Sequence, residues 1–559
     1  MSLNTVTSYD DQQKIWSGRR RKDLFGPNVT LGEASHFILS CVHPDKVVQI
    51  DDLSGDEVTA AQLLHESTII AKNLLDLMGL KQGDVIGISA DNTRYLSSLM
   101  LAAFLCGTPT NAVYPGFDKE TIKMVFKVTQ PKIFFCDVTC SDVLREAVKE
   151  LNLNLNLNDI FLMNGGGKEG FRNLKELLVD DGHPVDLKSL PCSQMRGDDT
   201  AAIVCSSGTT GPPKGVLCSH RRRDATLLYA ILILSLYDSV IFTFSTMYWL
   251  SGLLVLTSAL LSGTKRVITT QPFSAKYFQH LVEKHRITDV LAAVHQMAQL
   301  LGSATPSTAQ RLSSIRTIVC GGSLVPKSVS EGLNEILGDE PRRAGLTVAY
   351  GMTELAGVVS ENNAGPGRRR EGSVGQLMPN VEVRIVNKQT GELVGLAAGE
   401  GELHIRTPYN WSGYYRNPEA SRQSYMEGWL VTDDLGYFDA DGFLYIVGRD
   451  KDVFKSNRMQ IFPGLIEEVV LQLKGVSDAC VVGIPDLMAN HLIACAVVRT
   501  EDEYGRSITV QQVEDYVAKN MATIYHITAG VFFLEAFPRT ASGKIQRRTV
   551  LGMVQELYK

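Results

Sequence analysis

No apolar run in the 559 residues is long enough to cross a bilayer: the longest, 227–236, stops at Tyr237 and Asp238, short of the roughly 18 residues a span requires, and reads as a buried helix. No leader is expected either. The opening MSLNTVTSYDDQQ is polar and acidic, so no signal peptide is expected, and the final LYK is not the S-K-L type of peroxisomal address. Charge of one sign is also scarce: a net charge of −6 and a pI near 6.0 leave only small basic clusters at 221–223 and 368–370, which read as solvated loops, so nucleic acid is not expected as a partner. Cysteines are thinly spread, and Cys136 and Cys140 have no second pair or nearby histidines to complete a metal site. Reduced thiols in an intracellular protein, cytoplasmic or peroxisomal, are the expectation. The sequence has neither a G-x-S-x-G elbow nor an H-E-x-x-H pair.

A composition of 44% hydrophobic and 21% charged residues is that of an ordinary globular protein. The length implies about three or four structural units. From Lys81 onward, strand-like runs alternate with helix-like ones (GDVIGISA, YLSSLMLAAFLCG, PKIFFCD, VLREAVKEL), and the rhythm returns at AAIVC, KRVITT and IRTIVCGGS. This is the βαβ pattern of largely parallel, buried sheets. After Asn380 come turn-rich strands, with Thr390-Gly391 and Asp441-Gly442 as hairpin turns. Beyond Arg449, a stretch of about 110 residues mixes strands and helices and is long enough for its own core. The predicted class is therefore α/β multidomain. Residues 1–449 form a large portion of two α/β subdomains and a small β unit, and residues 450–559 a smaller α+β domain. The run LNLNLNLN at 151–158 carries no functional reading.

GGGKEG, 165–170, matches the dinucleotide-binding G-x-G-x-x-G after a strand-like IFLM. The turn-rich DDGHPVDLKSLPC that follows offers no second buried strand ending in a ribose-binding acid, so the match is rejected. SSGTTGPPKG, 206–215, is more telling. Four hydroxyls, three glycines and a lysine follow a short apolar run, and a surface turn has no use for such a cluster. Glycines admit a ligand close to the backbone, hydroxyls donate and the lysine supplies a point charge, a set suited to polyphosphate. It is not a P-loop, because Pro213 precedes Lys214 and Gly215 follows it.

Four further stretches follow in order: YGMTE (350–354), GWLVTDD (428–434), GRDKD (448–452) and PRTASGK (538–544). Together the five resemble the signature motifs of the adenylate-forming enzymes, with a texture similar to the luciferase-like and 4-coumarate-CoA ligase-like acyl-CoA synthetases of insects. The resemblance runs from about residue 24 to the C-terminus. It implies ATP-dependent activation of a carboxylic acid, a fatty acid by expectation, to an acyl-adenylate and then to acyl-CoA, with ATP, Mg²⁺ and coenzyme A as co-substrates or cofactor. A small-molecule acid is the expected partner, and a monomer or homodimer the expected assembly. By the same resemblance Ser206, Ser207, Gly208, Thr209, Thr210, Gly211 and Lys214 hold phosphates, and Tyr350 and Gly351 belong to the ATP site. Thr353 sits by the α-phosphate, Glu354 by the metal, and Asp434 and Arg449 at the ribose. Lys544, on an exposed mobile loop, is the catalytic lysine of adenylation. Lys451 is the hinge about which the small domain rotates, and Lys455 belongs to the face used for thioester formation. Trp249, Gly321, Gly322 and Ser323 border the acyl pocket.

Several residues depart from the family's pattern. Asp433 replaces the glycine of [ST]-G-D, Arg458 stands at the glycine of K-x-x-G, and Tyr525 and His526 occur where many ligases carry a lysine. YWLSG, 248–252, replaces a His-His-Gly-Phe-Gly stretch and leaves an apolar pocket suited to a fatty or aromatic acid. Two alternatives stay open: an adenylate-forming enzyme with a weak or absent CoA step, and a non-catalytic nucleotide-binding homologue.

Overall fold

The computed structural model describes residues 7–151, 159–183, 185–206, 214–222, 239–338, 345–362, 369–396, 399–408, 411–457, 459–540 and 543–558. A seven-stranded sheet runs in the order Lys214–Ser219, Thr200–Ser206, Thr110–Val113, Ile86–Ser89, Ile133–Cys136, Ile160–Leu162, Arg172–Asn173. It is parallel except for the hairpin made by its first two strands. A nine-stranded sheet has a parallel centre ordered Gly345–Met352, Thr317–Gly321, Asp289–Ala293, Val240–Phe242, Lys265–Ile268, Val47–Asp51. Strands Ile86–Ser89 and Ile133–Cys136 are buried at every position, which is why they read as unbroken apolar text.

Helix Leu96–Cys106 is also buried at every position, packing in one apolar cluster with Leu31, Leu63, Ile86 and Leu256, and it stops at Gly107, whose φ is +66°. Helix Leu31–Cys41 starts at a capping box. The Thr30 hydroxyl accepts from Glu33 N, and Thr30 N donates to Glu33 Oε2 at 2.8 Å. The turn-rich strands after Asn380 form a third, antiparallel sheet, and the two hairpin turns are found there, with Gly391 at φ +73° and Gly442 at φ +78°. That sheet also recruits Ser8–Asp10 and Ile15–Ser17 from the N-terminus, through register pairs such as Trp16 with Val383. Residues 165–170 form bends and turns, in keeping with rejection of the dinucleotide motif. The 227–236 run, and 152–158 of the Leu-Asn repeat, lie outside the described residues.

After Leu444–Arg449 the chain makes a single turn, Asp450–Asp452. A three-stranded sheet, Val476–Asp486, Asn490–Arg499 and Val531–Leu534, then packs with helices Pro463–Val470, Val510–Asn520 and Arg547–Tyr558. Two apolar clusters, around Val481 and Val513 and around Cys480 and Val550, draw only on residues after 453. Phe462 meets Leu435 and Val447 in a small third cluster that joins this domain to the large one. The molecule is thus a mixed α/β protein with a large N-terminal and a smaller C-terminal domain. Among the described residues, no helix is long and apolar enough to cross a membrane.

Candidate active site

A cleft of 4470 Å³ opens at the carboxyl ends of the parallel strands, where open α/β sheets bind ligands, and the small domain closes over it. Its walls include Lys214, Gly321, Thr353, Glu354, Asp434 and Lys544.

Strands Thr200–Ser206 and Lys214–Ser219 pair up to the point where Ser206 faces Lys214, so the loop between them leaves and returns at adjacent points. Ser207, Gly208, Thr209, Thr210 and Gly211 lie in that loop, outside the described residues. Lys214 Nζ is 4.9 Å from the centre of the Tyr414 ring, a cation–π distance. Tyr414 lies outside the five motifs, yet it connects two expected site residues, since its hydroxyl also donates to Glu354 Oε1 at 2.9 Å. Burial and then the Glu354 charge push the phenol pKa up, so it stays a donor.

Thr353 and Glu354 begin the turn Thr353–Leu355 that follows strand Gly345–Met352. Gly351 has no room for a side chain: a Cβ would lie 2.4 Å from Gly357 O, on the neighbouring strand. Glu354 is half-buried on the cleft wall. A hard carboxylate on the cleft wall is the kind of ligand Mg²⁺ takes, one or two carboxylates together with the phosphates of a substrate.

The neighbouring corner is tightly built. Asp434, only 4% exposed, accepts from the Tyr350 hydroxyl at 2.6 Å on Oδ2 and faces Arg449 Nε at 3.0 Å on Oδ1. Its backbone N–H donates to Thr432 Oγ1, which itself donates to Leu403 O. Burial first, then Asp434, raises the Tyr350 pKa well above normal, and Asp434 raises that of Arg449. The adjacent Asp433 occupies a left-handed conformation, φ +59°, where a glycine would be unstrained, and its carboxylate pairs with Lys451 Nζ at 2.6 Å. The substitution leaves Asp434 in the corner, as expected, and adds an ion pair to the turn.

Lys544 is where the structure corrects the sequence reading. An exposed loop was expected, but Lys544 is half-buried at the seam, because its loop descends from the small domain into the cleft. Burial lowers its pKa, and Arg449 lowers it further against the opposing pull of Asp434 and Glu354. Three expected site residues thus act electrostatically on a fourth that follows the nearest of them by nearly a hundred positions. Lys455 is exposed on the cleft wall, on strand Phe454–Ser456, and makes no ion pair among the described residues. Arg458 lies outside them.

On the acyl side, Trp249 precedes helix Leu250–Ser262 and joins a four-ring cluster. Its ring centre is 5.2 Å from that of Tyr114 and 5.3 Å from that of Tyr248, and Phe117 stands edge-on to Tyr248 at 5.0 Å. Trp249 therefore both packs and lines the cleft. Gly321 ends strand Thr317–Gly321, with Gly322 (φ +81°) and Ser323 continuing the wall. Tyr114 and Phe117 were not read from sequence, because nothing local marks them as facing residue 249.

The fold and cleft define a two-domain enzyme of the nucleotide-dependent, acid-activating kind. The chain belongs to the AMP-binding enzyme family: that family matches residues 41–415, and its C-terminal domain family matches residues 465–544. It is 29% identical over 528 residues to a probable CoA ligase of Humulus lupulus, covering 93% of this chain and 92% of that protein. It is 27% identical to the peroxisomal OPC-8:0-CoA ligase of Arabidopsis thaliana, covering 98% of each. Among solved structures, an anthranilate CoA ligase in complex with anthranoyl-AMP superposes with a TM-score of 0.82 at 20% identity, covering 95% of this chain and 98% of the other.

Proposed function

We propose that this chain is an acid:thiol ligase that converts a carboxylic acid, ATP and coenzyme A to acyl-CoA, AMP and pyrophosphate. The observation that carries the reading is a single cleft lined by Lys544 of the small domain and by Glu354, Asp434 and Arg449 of the large one. In the first step the substrate carboxylate oxygen bonds to the α-phosphorus of ATP and the bond to pyrophosphate breaks. Two anions must be brought together, and a desolvated ammonium is far more effective at this than one in water. Lys544 supplies that charge. Asp434 receives the ribose hydroxyls, Thr353 donates at the α-phosphate, and Lys214 with the 206–211 loop holds the outgoing phosphates. Mg²⁺, when bound at Glu354, neutralises phosphate charge. In the second step the thiol of coenzyme A attacks the acyl carbon and AMP leaves, with the small domain turned about Lys451 so that the Lys455 face closes the cleft.

The kinship with CoA ligases supports a CoA ligase, and the four-ring cluster around Trp249 supports an apolar acid, fatty or aromatic. A cytoplasmic or peroxisomal location belongs to the same proposal. The test is pyrophosphate release across medium-chain, long-chain and cinnamic-type acids, with and without coenzyme A. Acid-dependent release and thioester formation are expected. Release without any thioester would leave adenylation alone, and no release with any acid would end the reading.

A further inference from the structure

Lys544 is tied to its own domain by hydrogen bonds among residues 539, 540, 543 and 544. Thr540 N donates to Lys544 O and Gly543 N to Thr540 O, each at 2.8 Å, and Lys544 N donates to Thr540 Oγ1 at 3.2 Å. Arg539, which pairs with Asp478 of the same domain, donates from Nη1 to Gly543 O. The open question is what fixes the height and angle at which this preformed turn lands on the large domain.

The contact at its tip is with His295. A Cβ on Gly543 would lie 2.8 Å from both Cε1 and Nδ1 of the imidazole, so the ring lies directly under the Gly543 backbone. Gly543 also has φ +80°, so both space and conformation require glycine. The backbone of His295 is held in a helix, and its side chain is exposed on the large domain's side of the cleft. The residue is in the first turn of helix Val294–Gly302, which follows strand Asp289–Ala293 of the nine-stranded sheet, and Gln296 Oε1 accepts from Ala293 N to close that turn. The ring otherwise faces the cleft. A flat group on a rigid helix thus meets the one residue before the lysine that has no side chain to hold it off.

We propose that His295 is a positioning residue for adenylation: its ring is the seat on which the Gly543 turn lands, and it sets the distance of the Lys544 ammonium from the reacting oxygen. The inference rests on the adenylation reading of Lys544. Its chemistry is steric, so a planar ring serves and a small side chain does not. Displacement of a charged group by an ångström or so costs catalysis far more than it costs binding.

The test compares His295→Ala and His295→Phe with wild type in both half-reactions and in a proteolysis assay. In His295→Ala, acid-dependent ATP–pyrophosphate exchange is expected to fall about 10-fold in kcat, with the KM for ATP within about 2-fold. Thioester formation from supplied acyl-adenylate and coenzyme A, which does not use the Lys544 face, is expected to stay at the wild-type rate, which also reports that the variant is folded. His295→Phe should recover most of the exchange. Independently of turnover, MgATP is expected to slow tryptic cleavage after Lys544 in wild type and His295→Phe but not in His295→Ala. Equal loss in both half-reactions, unchanged exchange in His295→Ala, or equal protection of all three proteins would overturn the proposal. If wild type activates no acid, the functional reading fails, and the protection arm alone decides whether His295 seats the loop.

Discussion

Asp433 and Asp434 are neighbours in sequence and opposites in surroundings. Asp434 is buried, with the Tyr350 hydroxyl, Arg449 and its own strand's Thr432 around it, all of them groups of the large domain. Asp433 is partly exposed, lies in a left-handed turn, and reaches across to Lys451 in the turn that leads into the small domain. The first arrangement is preorganised and persists wherever the small domain sits. The second exists only while Lys451 holds its present position. On the proposed function, the corner assigned to the nucleotide is built from buried, mutually satisfied groups, whereas the turn assigned to the hinge holds a partly exposed, solvent-screened pair.

The largest effect is expected at the point where the two regions meet. Lys544→Ala should lower acid-dependent ATP–pyrophosphate exchange by at least about 10²-fold, the scale of losing one preorganised charge at a reacting centre. Its Tm should hardly change, since removing a desolvated ammonium relieves a burial cost. The same burial sets a pH signature. Because the pKa of Lys544 is lowered, its ammonium is lost at a pH below the usual lysine range, so exchange should fall on the alkaline side earlier than an ordinary lysine allows. Lys544→Arg should remove that limb from the profile, and a limb shared by wild type and Lys544→Arg would assign it to another group.

Asp434→Asn comes next and tests the preorganised corner directly. The amide cannot replace the anion that Arg449 and Tyr350 both face, and a buried charged partner left unpaired costs about 1–3 kcal/mol. Isothermal titration should show MgATP binding weakened by about 30-fold at that cost. Thioester formation from supplied acyl-adenylate should suffer as well, because the corner serves both domain positions. An effect confined to adenylation would contradict the contrast drawn here.

Thr353, Glu354, Asp434 and Lys544 were legible as one set because five motifs in a fixed order resemble those of one family, and all four line a single cleft. The alternation of buried strands and helices was legible from local pattern, since a parallel sheet covered on both faces must be apolar throughout. What stayed hidden depends on long-range contacts. Tyr414 meets Glu354 across 60 positions, Trp16 completes a sheet begun at Val383, and His295 lies under a glycine of another domain. No periodicity records such pairings. The burial of Lys544 was missed likewise: a Gly- and Ser-containing turn reads as exposed until a second domain is docked against it.

The smallest effect is the sharpest test of the comparison. In Asp433→Gly two terms oppose each other. The left-handed turn at φ +59° becomes unstrained, a gain of about 1 kcal/mol, and the pair with Lys451 is lost, a cost of at most about 1 kcal/mol for groups this exposed. Global stability should therefore move little, with Tm within about 2 °C of wild type. The terms do not cancel in the domain equilibrium, however. Relief of the turn is the same for both small-domain positions, whereas the Lys451 pair favours only the present one. Loss of the pair should raise the ratio of thioester to adenylation rate by up to about 5-fold at low salt. In about 0.5 M NaCl, where a Debye length of a few ångströms already weakens the pair, wild type and Asp433→Gly should converge. If the ratio shifts equally at both salt concentrations, the cause is the turn's conformation and not the ion pair, and Asp433 belongs with Asp434 as a fixed part of the corner.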